Sequence, residues 1–165
     1  MALAIETGEK NKILREKSKP LSEINSTTRK LIKEMVKTMS AENGVGLAAP
    51  QVGQNIRLIV VRMNPGEKNE ITMPMINPEI AYCSQETEWG EEGCLSLPGE
   101  WGQVERAKEI IIRFKNPKNE VQTLQLELTN ARIIQHEIDH LDGILFTDKA
   151  KDVYKKAHTA EEVTI

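Results

Sequence analysis

Between residues 26 and 42 the apolar positions Leu31, Ile32, Met35, Val36 and Met39 recur at intervals of three and four, which predicts one buried face of a helix. Ser26, Thr27 and Thr28 are available to cap its start, and Gly44 stops it. A Gly-containing segment follows over residues 44–53. The β-branched apolar run at 56–63 then predicts a strand buried on both faces. Shorter strands are expected at 71–76, 80–83 and 87–91, separated by Pro, Asn and Gly. Leu124, Leu126 and Leu128 alternate with Gln125 and Glu127, and they face residues 110–115 across Asn116, Pro117, Lys118 and Asn119, the pattern of an antiparallel hairpin. Asn130 is placed to cap a second helix, which carries Ile133, Ile134, Ile138 and Leu141 and ends at Asp142 and Gly143. Strands followed by a helix, without βαβ alternation, indicate an α+β fold.

The length of 165 residues suits one domain, residues 1–165, and 39% apolar residues suffice for one core. Residues 1–19, polar from 6 onward, are expected as a mobile lead-in, and residues 150–165 as a polar tail. The net charge is −3, and no basic block of six or more residues occurs, which argues against an extended phosphate-binding face and against DNA as a partner. No apolar stretch approaches the roughly 18 residues of a membrane span, and the opening residues lack the order of an export signal, so a cytoplasmic protein away from membranes is expected. Two cysteines, Cys83 and Cys94, are too few for a disulfide scaffold and read better as a thiol or a metal ligand.

The second helix reads Gln135, His136, Glu137, Ile138, Asp139, His140. Two histidines four residues apart on a helix lie about 40° apart around its axis and about 6 Å apart along it, so both imidazoles can meet one ion. Glu137, turned roughly 100° from His136, can reach a water on that ion rather than the ion itself. With three histidines in the chain, H-E-x-x-H should arise by chance in fewer than about 1% of such sequences, and here it falls on a segment whose apolar spacing already predicts a helix.

Catalytic tetrahedral sites usually take three protein ligands, so a third donor is needed. A downstream histidine is absent, since Phe146 stands at the position that one metallopeptidase class would require. Glu161 and Glu162 have the spacing used in another class but lie in the polar tail. Upstream, Cys94 lies between two glycine-containing turns and is the better donor; a thiolate with two imidazoles suits zinc or ferrous iron over magnesium or calcium. A buried, inert Cys94 is the alternative. So is a structural site that also uses Cys83, although its spacing matches no common finger and leaves Glu137 without a task.

Three segments together resemble the peptide deformylase family: GVGLAAPQVG at 44–53, EGCLS at 92–96 and QHEIDHLDG at 135–143, in that order. The resemblance implies antiparallel sheets packed around a central H-E-x-x-H helix. It implies that Cys94, His136 and His140 hold the metal, ferrous iron that zinc, nickel or cobalt can replace. It further implies that Glu137 is the general base and acid, that the Gln51 side chain and the Leu95 backbone N–H face the formyl oxygen, and that Val45, Gly46 and Gly93 bind the peptide as an added strand. The implied reaction removes the N-formyl group from the N-terminal methionine of a nascent polypeptide, with an N-formylmethionyl peptide as substrate. Some members of the family also dock transiently on the ribosome through a C-terminal helix, but here Asp148, Asp152, Glu161 and Glu162 offset Lys149, Lys151, Lys155 and Lys156, which favours a solvated end and leaves ribosome association open.

A methionine pocket needs an apolar wall, for which Ile133, one turn before His136, is the candidate; plain core is its alternative role. Thr129 and Asn130 stand where members of the family often carry two bulky apolar residues. Residues 99–103, with an exposed Trp101, are expected as a loop at the rim, and Asp139 and Arg106 either pair to orient a ligand histidine or are separately solvated. The competing functions are a small metallopeptidase acting on ordinary peptide bonds and a silent relative that only binds.

Overall fold

A computed structural model describes residues 1–157 and 164–165. Its organising element is β2 (Leu58–Met63), which pairs on one side with β1 (Gly46–Ala48) and on the other with β3 (Ile71–Cys83). Because side chains alternate across a strand, β2 divides its apolar run between two cores. Leu58 and Val60 join Ile32, Met35 and Met39 of α2 (Ser26–Ala41), whereas Ile59, Val61 and Met63 join Ile133, Ile134 and Leu141 of α3 (Leu128–Leu141). The predicted double burial of this strand is therefore present, with one helix supplying each cover.

The five-stranded antiparallel sheet continues from β3 through β6 (Glu109–Lys115) to β7 (Val121–Glu127). A second sheet of three strands, β4 (Thr87–Cys94), β5 (Leu97–Ala107) and β8 (Lys151–Lys155), is also antiparallel. Helix α3 packs against strands of both sheets. This is the expected α+β arrangement with the H-E-x-x-H helix at its centre.

Several local expectations give way to tertiary structure. Asn25, not a residue of the 26–28 run, caps α2 by accepting from the Thr28 backbone N–H, and Asn43 rather than Gly44 takes the left-handed conformation that ends it. The two expected strands at 71–76 and 80–83 are one strand, interrupted by an irregularity where Asn77 adopts a φ of 50° and its side chain bonds the backbone of Leu21 in both directions. Leu128 does not continue the strand alternation; the chain turns there at a φ of 51° and enters α3, so Leu128 is exposed. Asn130 is not the cap but accepts from the Asn64 backbone N–H.

The largest departures concern the segments expected as loop, lead-in and tail. Residues 99–103 belong to β5, and Trp101 is buried, its ring laid across Gly93, where a β-carbon would stand 2.8 Å from the indole. Pro98, Gly99 and Gly102 made this strand read as a loop. In place of a free lead-in, residues 6–19 lie against the body: α1 (Lys12–Arg15) buries Leu14 completely, and backbone bonds run from Glu6 to Gln51, Gly8 to Ser96 and Ser18 to Leu141. Residues 151–155 form β8, an exposed strand on the edge of β5. His158, Glu161 and Glu162 lie outside the described residues.

Candidate metal centre

Helix α3 carries His136 and His140 on one face, one turn apart, with ring centroids separated by 5.0 Å. Cys94, the last residue of β4, brings its Sγ within 3.2 Å of His140 Nε2. The ligand atoms of Cys94, His136 and His140 all lie within 4.8 Å of one another, and all three residues are buried. His136 Nε2 has no hydrogen-bond partner despite complete burial. Buried polar atoms without partners are costly, so an unsatisfied imidazole nitrogen beside a thiol and a second imidazole is a donor set that fits a soft divalent cation. Phe146 stacks on the His136 ring instead of offering a ligand, and Cys83 is exposed and outside the group.

The His136 orientation is set by Glu92, a residue that sequence reasoning missed. Glu92 is fully buried and accepts from His136 Nδ1 at 2.8 Å, from both Nε and Nη2 of Arg106 at 2.9 and 2.8 Å, and from Arg132 Nη1 at 2.7 Å. Burial works to raise the Glu92 pKa, but the hydrogen bonds from Arg106 and His136 override it and hold the carboxyl well below its ordinary range. An ionised carboxylate only accepts, so His136 Nδ1 must carry the proton and Nε2 presents its lone pair to the site. Arg106 also reaches Asp139 at 2.5 Å, and Lys149 closes the network on Asp139 at 3.0 Å. The Arg106–Asp139 pair therefore exists, and it bears on His136 through Glu92. Glu92 opens the EGCLS segment at 92–96, but nothing in its spacing relates it to His136 or Arg132, which only the fold brings to it.

Glu137, next to His136 on α3, lies close enough for its charge to act on Cys94. It is fully buried and neither carboxyl oxygen has a partner. Burial, then the negative charge of Glu92, raises its pKa well above the usual value, with Arg106 opposing. Gly46 makes room for it, since a β-carbon at 46 would collide with the carboxylate. Burial also lowers the His140 pKa, helped by the nearby His136 and Arg106, and so keeps the ring in the neutral form that ligation needs. Without a cation, burial pushes the Cys94 thiol up to about 12, against backbone N–H bonds from Ser96 and Leu97.

Gln51 comes from the 3-10 turn Ala49–Val52, and it is buried. Its Oε1 accepts from the Ala48 backbone N–H at 2.8 Å, which leaves Nε2 to face Ser96 Oγ at 3.2 Å and Cys94 Sγ at 3.7 Å. Leu95 sits in the short link between β4 and β5, beside Cys94. Gly93 pairs with Trp101 across those strands. Val45 and Ile133 are both buried in the core that α3 shares with the five-stranded sheet. Thr129 is exposed, and Asn130 bonds Asn64.

A model of the polypeptide deformylase family matches residues 4–156. A peptide deformylase of Desulforudis audaxviator is 47% identical over 144 residues, covering 87% of this chain and 91% of that protein. Among solved structures, peptide deformylase from Thermotoga maritima superposes with a TM-score of 0.85 at 38% identity, covering 92% of this chain and 99% of that one. A class I type b peptide deformylase from Acinetobacter baumannii, solved with Met-Ala-Ser bound, superposes with a TM-score of 0.83 at 38% identity, covering 90% and 98%. The likeness thus spans both sheets and the helix that carries the paired histidines, and the chain belongs to the peptide deformylase family.

Proposed function

We propose that this protein hydrolyses the formyl group from the N-terminal methionine of nascent polypeptides, giving formate and a free amine. The observation that carries the reading is the buried Cys94, His136 and His140 group with the unpartnered carboxyl of Glu137 beside it. Cys94, His136 and His140 would hold a divalent cation, ferrous iron with zinc, nickel or cobalt as substitutes, as a soft thiolate among imidazoles favours. When bound, the cation supplies Lewis acidity and brings the pKa of water from about 15.7 toward about 7.

The chain supplies the rest. Glu137, with both oxygens free, accepts a proton from the attacking water and passes one to the departing nitrogen. As the formyl carbon becomes tetrahedral, charge grows on its oxygen, and the Gln51 amide with the Leu95 backbone N–H stabilises it; losing one such donor costs about 10²-fold in turnover or more. The bond from Ala48 to Gln51 Oε1 fixes which end of the amide faces the site. Val45, Gly46 and Gly93 line the edge along which the peptide main chain adds as a strand, and Ile133 contributes to the apolar surroundings of the methionine side chain.

No helix among the described residues is long and apolar enough to cross a membrane. Action on nascent chains fits a cytoplasmic enzyme, and a transient association with the ribosome is compatible with that action. The test is purification without oxygen, metal analysis, and parallel assay of formyl-Met, acetyl-Met and unblocked peptides. Formate release from the first alone is expected; cleavage of an internal peptide bond, or no turnover with the metal in place, would overturn the reading.

A further inference from the structure

Strand β1 lies at the edge of its sheet, and the residues leading into it have one side open. Val45 stands at the bend that leads into β1: its carbonyl accepts from Arg62 of β2, whereas its N–H is not used by the β1–β2 ladder and needs a partner elsewhere. That partner is Thr164 of the same chain: its carbonyl accepts from Val45 N at 2.9 Å, its own N–H reaches the Asn43 carbonyl at 3.4 Å, and it forms a parallel bridge with Gly44. Thr164 is 4% exposed, and its buried hydroxyl has no partner. The following residue, Ile165, packs against the core cluster that contains Val45, Met63 and Ile133. Thr164 also walls a cavity of about 120 Å³ whose other sides include Cys94 and Trp101.

We infer that Thr164 and Ile165 are an intramolecular occupant of the substrate edge, one residue bonding the main chain and the next supplying the apolar side chain, so that a peptide must displace them to bind. The inference rests on the reading that Val45 receives the peptide as an added strand. Both ligands need the one Val45 N–H, and a backbone donor is shared poorly between two acceptors. Their occupancies are therefore exclusive, and the apparent affinity for peptide falls by the fraction of molecules in which the edge is open. The contact is small, one short and one long hydrogen bond with a half-covered isoleucine, which suits a competitor that yields to substrate.

The test compares the full-length zinc-loaded protein with Ile165→Glu, which removes the apolar anchor, and Thr164→Pro, which removes the N–H to Asn43. Two quantities are measured: hydrogen exchange of the Val45 amide, and the Kd of the unformylated peptide Met-Ala-Ser, which requires no turnover. Both variants should release the Val45 amide to faster exchange and bind Met-Ala-Ser about threefold to tenfold more tightly. Unchanged exchange in both variants, or faster exchange with an unchanged Kd, overturns the inference. A formate assay run alongside separates the two ideas, since absence of formate release sinks the proposed reaction and leaves the exchange and affinity results to decide this one.

Discussion

Glu137 and Cys94 sit within one site but answer to different physics. Glu137→Gln should keep the cation and lose turnover by about 10²-fold or more, because proton transfer by a placed carboxylate contributes that much; metal content beside the rate of formate release measures it. The same variant should melt at higher temperature than the parent when both are metal-free at pH 7. A carboxyl whose folded pKa is raised loses stability as pH climbs above its unfolded value of about 4.5, and an amide does not titrate. Cys94→Ala should instead abolish metal binding. Since the thiol must ionise from a pKa of about 12, cation uptake by the parent should release a proton and strengthen between pH 6 and 8, measurable by titration calorimetry in two buffers, whereas the same titration of Cys94→Ala should show no uptake. The histidine pair and Glu137 were legible in the sequence because helical spacing is local. Glu92 and Arg132 were not: the partners they meet in His136 and Glu92 stand 44 and 40 residues away, and only the folded sheet brings them together.

At the scale of elements, the first sheet shows where reading from pattern succeeds. The run in β2 named a strand buried on both faces, and alternation named the β6–β7 hairpin, because each signal lies within a few residues. Strand β5 escaped, since Pro98, Gly99 and Gly102 signal turns and nothing nearby shows that Trp101 closes over Gly93. Gly93→Ala should cost about 1–3 kcal/mol by forcing the indole away, read from denaturant unfolding. The join between β4, β5 and α3 is electrostatic. Arg106→Met leaves Glu92 and Asp139 short of their shared cation in a buried place, and a loss of about 3–5 kcal/mol is expected from the same measurement, with weaker metal retention because His136 loses its fixed partner. A neutral effect on both would remove the network from the account of the site.

Across the whole molecule, residues 6–19 tie the two sheets from outside: Leu14 enters the core of the three-stranded sheet, and Arg15 pairs with Asp148 at 2.5 Å. Leu14→Ala should cost about 2–5 kcal/mol, more than a frayed terminus could account for. Acid should act through Glu92. Its folded pKa lies far below its ordinary value of 4.5, so its stabilisation is fully present above that pH and drains away as pH falls further toward the folded value; thermal melts of metal-free Glu92→Gln and parent should converge in that acidic window. The ligand set has a mechanical side as well. Cys94 belongs to the three-stranded sheet and the imidazoles to the helix embedded beside the five-stranded one, so whatever joins them adds a rivet between layers that otherwise meet through side-chain packing and the buried Glu92, Arg106 and Asp139 network. Prying the layers apart then requires letting go of the rivet, and a chelator should hasten unfolding and protease cleavage of the loaded protein while leaving the stripped protein indifferent to it.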